Sequence, residues 1–187
     1  MDHVRAEHPG FVEAVLADAR LTSSLRGESA DLGSRPQAVV RVLRLALVSD
    51  AFLAQICYRA KARTQAMGIP VVPHLLHRLA MMVGQVCIGD PVIVRPGIYL
   101  PHGQVVIDGI TEVASGAVFF PWVTVGLKAG NVDGPKIGRN VRVGTGAKII
   151  GPVRIGDGAS IGANAVVVED VAPGATVAGV PARVLSG

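Results

Sequence analysis

Aromatic residues are scarce: four Phe, two Tyr and one Trp make up 4% of 187 residues. A globular core built on large rings is closed to such a chain, whereas the narrow interior of a solenoid needs none. Cysteine is nearly absent. Cys57 and Cys87 stand without a pattern, which excludes a disulfide framework and a cysteine-rich zinc site and points to a reducing cytosol. No uncharged apolar run reaches the roughly 18 residues that a membrane span needs. The nearest, Val71 to Ile88, is interrupted by His74, His77 and Arg78. The opening MDHVRAEHPGF has neither the basic start nor the apolar centre of a signal peptide, so a cytoplasmic location is expected. Lys and Arg exceed Asp and Glu by 18 to 14, with a pI near 9.5. They are spread thinly, without a polybasic run or interleaved aromatics, so no nucleic-acid partner is expected. An anionic cofactor would account for the excess as well.

What the chain does have is glycine, 23 residues of it, and a repeat. From Ile137 to Pro173 it reads in sixes: IGRNVR, VGTGAK, IIGPVR, IGDGAS, IGANAV, VVEDVA. Position one is always aliphatic: Ile137, Val143, Ile149, Ile155, Ile161 and Val167. Position four holds turn residues such as Asn140, Gly146, Gly158 and Asn164, which tolerate a left-handed backbone. Position five is small or β-branched, from Val141 to Val171. A period of six fits neither an amphipathic helix nor an alternating strand. It fits short strands joined by tight turns, the signature of a parallel β-helix.

Upstream the same arithmetic continues. Ile88, Val94, Leu100 and Val106 are spaced by six, as are Val113, Phe119 and Val125. The step from Val106 to Val113 is seven, so one coil is expected to carry an extra residue there. Residues 126–136 read as a loop thrown out from a corner. Residues 174–187 read as a cap on the open end. Three hexads per triangular turn give about five turns.

Residues 1–86 carry helical signals instead, and residues 87–187 form the repeat region. Residues 1–8 read as loose. Helices are predicted over Phe11 to Leu25, from Ser34-Arg35-Pro36 to Ser49-Asp50, over Ala51 to Met67 with a stop at Gly68 and Pro70, and over Val72 to Val83. These helices hold more apolar positions than one stripe needs, among them Val39, Val40, Leu43, Leu47, Phe52 and Leu79. They are expected to pack on each other and across subunits.

The repeat region contains a single histidine, His102, in the hexad LPHGQV. The pattern alone makes it an exposed corner residue, and one histidine cannot build a three-histidine zinc site. His74 and His77 share a helix face, where packing or exposure is the plainer account; no metal is expected.

The pieces VRPGIYLPHG at 94–103, VTVG at 123–126 and KIGRNVRVGTGAKIIGPVRIGDGASIGANAVVVEDVAPGATVAGVPARV at 136–184 resemble the hexapeptide-repeat acyltransferases, and within them the serine acetyltransferase family. The resemblance covers roughly residues 35–185 and is less specific for substrate than for scaffold. It implies a left-handed parallel β-helix after an α-helical N-terminal region, a homotrimer that helices could join into a hexamer, and acetyl-CoA as donor. It implies that His102 is the general base and that Gly126 offers a backbone N–H to the oxyanion. It places CoA contacts at Gly126, Thr145, Ala163 and Arg183. A neutral imidazole suits removal of a proton from an acceptor hydroxyl.

The departures from that family fall on acceptor recognition. The Asp expected fifteen residues before the histidine is Cys87, and the residue just before it is Pro101. The Arg-His pair of the loop is replaced by Asp133-Gly134, and the Asp-Pro that opens the helical bundle corresponds to Arg35-Pro36. Arg35 and Asp133 thus reverse the charges that would hold a zwitterion, so an acceptor other than free L-serine is expected. A partner for His102 is sought among Asp90, Asp108 and Glu112. An N-acyltransferase acting on an amino sugar and a non-catalytic trimer that binds CoA remain open.

Overall fold

The computed structural model describes residues 8–185; His3 and most of the loose N-terminal stretch lie outside them. Among the described residues four helices come first: α1 (Phe11–Leu25), α2 (Arg35–Val48), α3 (Phe52–Ala66) and α4 (Val72–Gly84). Each stops where its local chemistry says it must. After α1, Gly27 takes a φ of 76°, and the Glu28 N–H closes back on the Ser23 carbonyl. The first turn of α2 holds Pro36, and the Gln37 side chain accepts from the Ser34 N–H at 2.8 Å. Gly68, at φ 70°, ends α3. Among the described residues no helix is long and apolar enough to cross a membrane.

Fourteen strands follow: β1 (Val86–Ile88), β2 (Ile93–Val94), β3 (Val105–Ile107), β4 (Ile110–Val113), β5 (Val118–Phe119), β6 (Thr124–Gly126), β7 (Asp133–Ile137), β8 (Arg142–Val143), β9 (Lys148–Ile150), β10 (Arg154–Ile155), β11 (Ser160–Ile161), β12 (Val166–Val167), β13 (Thr176–Ala178) and β14 (Arg183–Val184). They form the three faces of a prism. The first face stacks β1, β3, β6, β9 and β12; the second β2, β4, β7 and β10; the third β5, β8, β11, β13 and β14. All pairs are parallel except the last, where β14 folds back antiparallel on β13 and ends the coil. The position-one aliphatics and the small position-five residues both point inward, and Val143, Ile149, Ala147 and Ala165 are fully buried. Coil upon coil, they make one continuous core.

Two expectations need correction. The extra residue lies before Ile107, not after Val106. Ile88 pairs with Ile107 and Val94 with Val113, a coil of 19 residues, whereas Ile107 to Val125 is 18. Val106 is 39% exposed and Ile107 fully buried. Two adjacent aliphatics made the sixes ambiguous, and the added residue sits in the corner 101–104 that carries His102. The second correction concerns the loop. Asp133–Ile137 is a strand paired to β4, so the excursion is confined to 127–132. The register slips between Ile110 and Glu112, and a bulge of this kind accommodates Pro135, which has no N–H to give.

The helices and the coil are joined through the first coil, whose outer edge has no strand beneath it. Side chains from α3 satisfy its carbonyls. Tyr58 donates to Val92 O at 2.9 Å, Lys61 to Ile88 O at 2.6 Å and Arg59 to Val94 O at 2.5 Å. Asp18 of α1 accepts from the Gly97 and Ile98 N–H groups at 2.9 and 3.0 Å and pairs with Arg59 at 2.9 Å. An open sheet edge invites foreign strands; this one is closed by side chains. Burial pushes the Tyr58 phenol up to about 12, so it remains a donor. On α2 only Ala38 and Leu45 are buried, while Val39, Val40, Leu43 and Leu47 face solvent in the protomer.

Candidate active site

One edge of the prism, where the third face turns into the first, gathers His102, Thr145 and Ala163 from the residues singled out from sequence. Each coil turns this corner in a tight bend, and successive bends are hydrogen-bonded to one another. The Gly146 N–H donates to Pro121 O at 2.9 Å and the Asn164 N–H to Thr145 O at 2.8 Å. From the first coil upward the edge carries His102, Trp122, Thr145 and Ala163. Coils rise about 4.8 Å each, so His102 and Ala163 are roughly 14 Å apart along the edge. At the far end Arg183 lies 3.6 Å from the Glu169 carboxylate and is largely exposed.

His102 heads this column. Its corner is seated on the end of α4 so closely that a Cβ at Gly103 would stand 1.7 Å from the Gly84 carbonyl oxygen. Its ring Nδ1 lies 2.7 Å from Asp50 Oδ2. Asp50 occupies the connector between α2 and α3, and both side chains are more than half exposed. With an ionised carboxylate accepting, Nδ1 carries the proton and Nε2 keeps its lone pair. That is the tautomer a general base requires. The two residues open onto a cleft of about 470 Å³ lined also by Met82, Gln85, Gln104 and Trp122.

The carboxylates expected to partner His102 are engaged elsewhere. Glu112 pairs with Lys136. Asp90 pairs with the buried Lys61 at 2.9 Å; burial opposes its ionisation, but the ammonium outweighs this and holds the carboxyl below its ordinary range. Asp108 lines a separate cleft of about 300 Å³ with Cys87, His74 and His77. Burial, then the Asp108 charge, pushes the Cys87 thiol up, so it does not stand in for an aspartate. Burial lowers His77. Among the described residues no group of three His, Cys, Asp or Glu side chains is placed to hold a metal.

Within one protomer the other predicted residues lie away from His102. Gly126 ends β6 at the opposite edge of the first face, where its carbonyl accepts from the Gly151 N–H at 3.0 Å. A three-residue strand puts it about 10 Å across. Asp133 opens β7 beyond the loop, with its N–H held by Asn131 at 2.8 Å. Arg35 opens α2, whose 14 residues separate it from the Asp50 connector by about 21 Å. Sequence reasoning missed Asp50, whose contact with His102 spans 52 residues. It also missed Trp122, although a bulky residue 24 positions before Gly146 was a visible anomaly in a turn position.

Comparison with known proteins adds a context. The family described as bacterial transferase hexapeptide (six repeats) matches residues 134–168. A serine acetyltransferase of Synechococcus elongatus is 34% identical over 81% of the chain, which spans 63% of that relative's length. One from Helicobacter pylori is 32% identical over 71% of the chain and 80% of its own length. The solved soybean serine acetyltransferase apoenzyme superposes with a TM-score of 0.81 at 28% identity, covering 96% of this chain and 71% of that one. The coil is left-handed, as in that fold, an exception to the right-handed rule for parallel crossovers.

Proposed function

Because the chain belongs to the serine acetyltransferase family, we propose that it transfers an acetyl group from acetyl-CoA to an acceptor hydroxyl, with His102 as general base. The observation that carries this is the 2.7 Å contact of His102 Nδ1 with Asp50 at the head of the corner column. The free Nε2 takes the hydroxyl proton as that oxygen attacks the thioester carbonyl. The tetrahedral oxyanion needs a preorganised donor, for which we assign the Gly126 N–H across the groove between copies. Collapse expels the CoA thiolate, which recovers the proton from His102. The products are an acetyl ester and free CoA thiol.

The fit of CoA to the column rests on residue size and charge. Thr145 and Ala163 leave the edge shallow for a pantetheine arm, and Arg183 offers a cation at the far end for phosphate. No step needs a metal ion. Because Gly126 lies across a face from His102 within one protomer, the site is complete only when one copy's base edge meets a neighbour, in a closed trimer. The exposed stripe Val39, Val40, Leu43 and Leu47 on α2 supports contacts between copies, and a hexamer formed through it is the larger assembly we infer. Arg35 and Asp133 stand where the family resemblance calls for charges of the other kind, which supports an acceptor other than free L-serine.

The test is release of thiol from acetyl-CoA over a panel of alcohols and amines, with His102→Ala beside the wild type. Loss of the base should slow turnover by about 10²–10⁴-fold; unchanged turnover would exclude His102 from the chemistry. An ester product is cleaved by mild base and an amide is not, which separates O- from N-transfer. Sedimentation at micromolar concentration should show three copies or a multiple, and an active monomer would overturn the shared site.

A further inference from the structure

Every coil passes the His102 edge with one residue in the left-handed region. In the regular coils these are Gly146 (φ 75°) and Asn164 (φ 55°), residue types that adopt it at little cost. At the base end the same position is filled by Gln85 (φ 50°), Gln104 (φ 59°) and Trp122 (φ 66°). Among the described residues six non-glycines are held this way. Two are the asparagines of regular corners, Val71 precedes α4, and the other three line the cleft that holds His102. Gln85 also ends α4 as its left-handed cap, but the fold offers no reason for Gln104 and Trp122, since Gly or Asn serves the same corner a few coils away. Along this edge, strain retained against a cheaper alternative, and there only beside the candidate base, marks side chains kept for what they touch.

The chemistry of that set is specific. Trp122 is 60% exposed, and Lys148 Nζ holds its corner by donating to the Trp122 carbonyl at 2.5 Å. Gln85 and Gln104 bring two primary carboxamides, each both donor and acceptor. The charged residues lining the cleft are Asp50 and His102, and they are paired with each other. Within the protomer, among the described residues, no cation lines it to receive a carboxylate, and no free carboxylate lines it to receive an ammonium. An indole face flanked by neutral amides suits a ligand with an apolar face and several hydroxyls. A purely apolar alcohol would leave the carboxamides without partners.

We propose that this cleft is the acceptor site and that the acceptor is a neutral polyhydroxylated ring of the carbohydrate class. Its ring face lies on the Trp122 indole, Gln85 and Gln104 read adjacent hydroxyls, and the reacting hydroxyl is presented to His102 Nε2. The assignment rests on the acetyl-transfer reading above and narrows its acceptor.

The experiment is a kinetic comparison on the full chain with acetyl-CoA and three probes: a set of methyl hexopyranosides, L-serine and benzyl alcohol. At least one glycoside should be used with kcat/KM 100-fold or more above both other probes. Trp122→Gly should raise KM for that glycoside tenfold or more while the melting temperature stays equal or rises, because glycine relieves the left-handed corner. A preference for L-serine or for benzyl alcohol overturns the carbohydrate assignment and leaves acetyl transfer standing. So does a Trp122→Gly protein that melts lower with KM unchanged, which makes the indole structural. Absence of thiol release with every acceptor, glycosides included, removes the acetyl-transfer reading itself.

Discussion

Asp50→Asn should lower kcat by roughly 100-fold with little change in KM for acetyl-CoA. The argument turns on which ring nitrogen of His102 holds the proton. The wild-type carboxylate only accepts, so the Nδ1 that faces it at 2.7 Å must donate. Asparagine can instead turn its NH₂ toward Nδ1, which makes Nδ1 the acceptor and places the proton on Nε2, the atom meant to receive one. A buried aspartate behind a catalytic histidine is worth about 10⁴-fold when its amide is substituted. Asp50 and His102 are each more than half exposed, so water competes for both and the smaller effect is expected. Asp50→Glu should recover part of the rate. Nitrogen-15 spectra of His102 provide a readout that a merely structural role would not move: protonated Nδ1 in the wild type, protonated Nε2 in Asp50→Asn. The melting temperature should hardly change, because an exposed pair contributes little to folding. A rate within threefold of wild type, or a wild-type histidine already protonated at Nε2, would remove Asp50 as the positioning residue.

The contrast between what this sequence revealed and what it hid follows from the range of the interactions. The sixes are local, and so are the caps. Gly68 with Pro70, Ser34 with Pro36, and the alternation of Ile149 with Ala147 are set within a few residues of chain. They were legible for that reason. His102 was legible as a residue but not as a site. Its partner comes from a connector between helices, which reads locally only as the break Ser49-Asp50. The corner that seats it took the extra residue of the first coil, and Val106 beside Ile107 disguised the slip. The content of 126–136 is not strand-like and argued for a loop, since a bulge in the facing strand leaves no local mark. Arg35 was assigned to the acceptor by the resemblance alone; within one protomer the length of α2 separates it from the Asp50 connector. Trp122 is the instructive case. The repeat itself specified a Gly or Asn at that corner, so the departure could be seen, and only the φ angle with its neighbours gave it meaning.

Asp18→Ala should be the most destabilising single substitution at the junction of helices and coil, by about 3–5 kcal/mol. In a chain of this size each kcal/mol moves the midpoint by roughly 2–4 °C. The carboxylate has three duties at once. It neutralises Arg59, whose side chain is 3% exposed, and it accepts the N–H groups of Gly97 and Ile98 in the first coil. Its loss strands a buried guanidinium and two backbone donors, and each is costly to leave unpaired. Arg59 in turn donates to Val94 O and Arg95 O, so the damage reaches the edge that has no strand beneath it. Replacing an isolated buried ion pair by apolar residues is often neutral. Here the double substitution Asp18→Leu with Arg59→Met should not recover stability, because the backbone groups they cap would remain uncapped. Glu28→Ala is the control. Glu28 meets Arg44 at 2.6 Å and also faces Arg26 and Arg41, yet that cluster is solvent-accessible, and its midpoint should stay close to wild type. Urea unfolding at one fixed protein concentration, needed because assembly shifts apparent stability, compares the three. If Asp18→Ala unfolded with Glu28→Ala, or if the apolar double variant matched wild type, the first coil would owe its closure to packing and not to these hydrogen bonds.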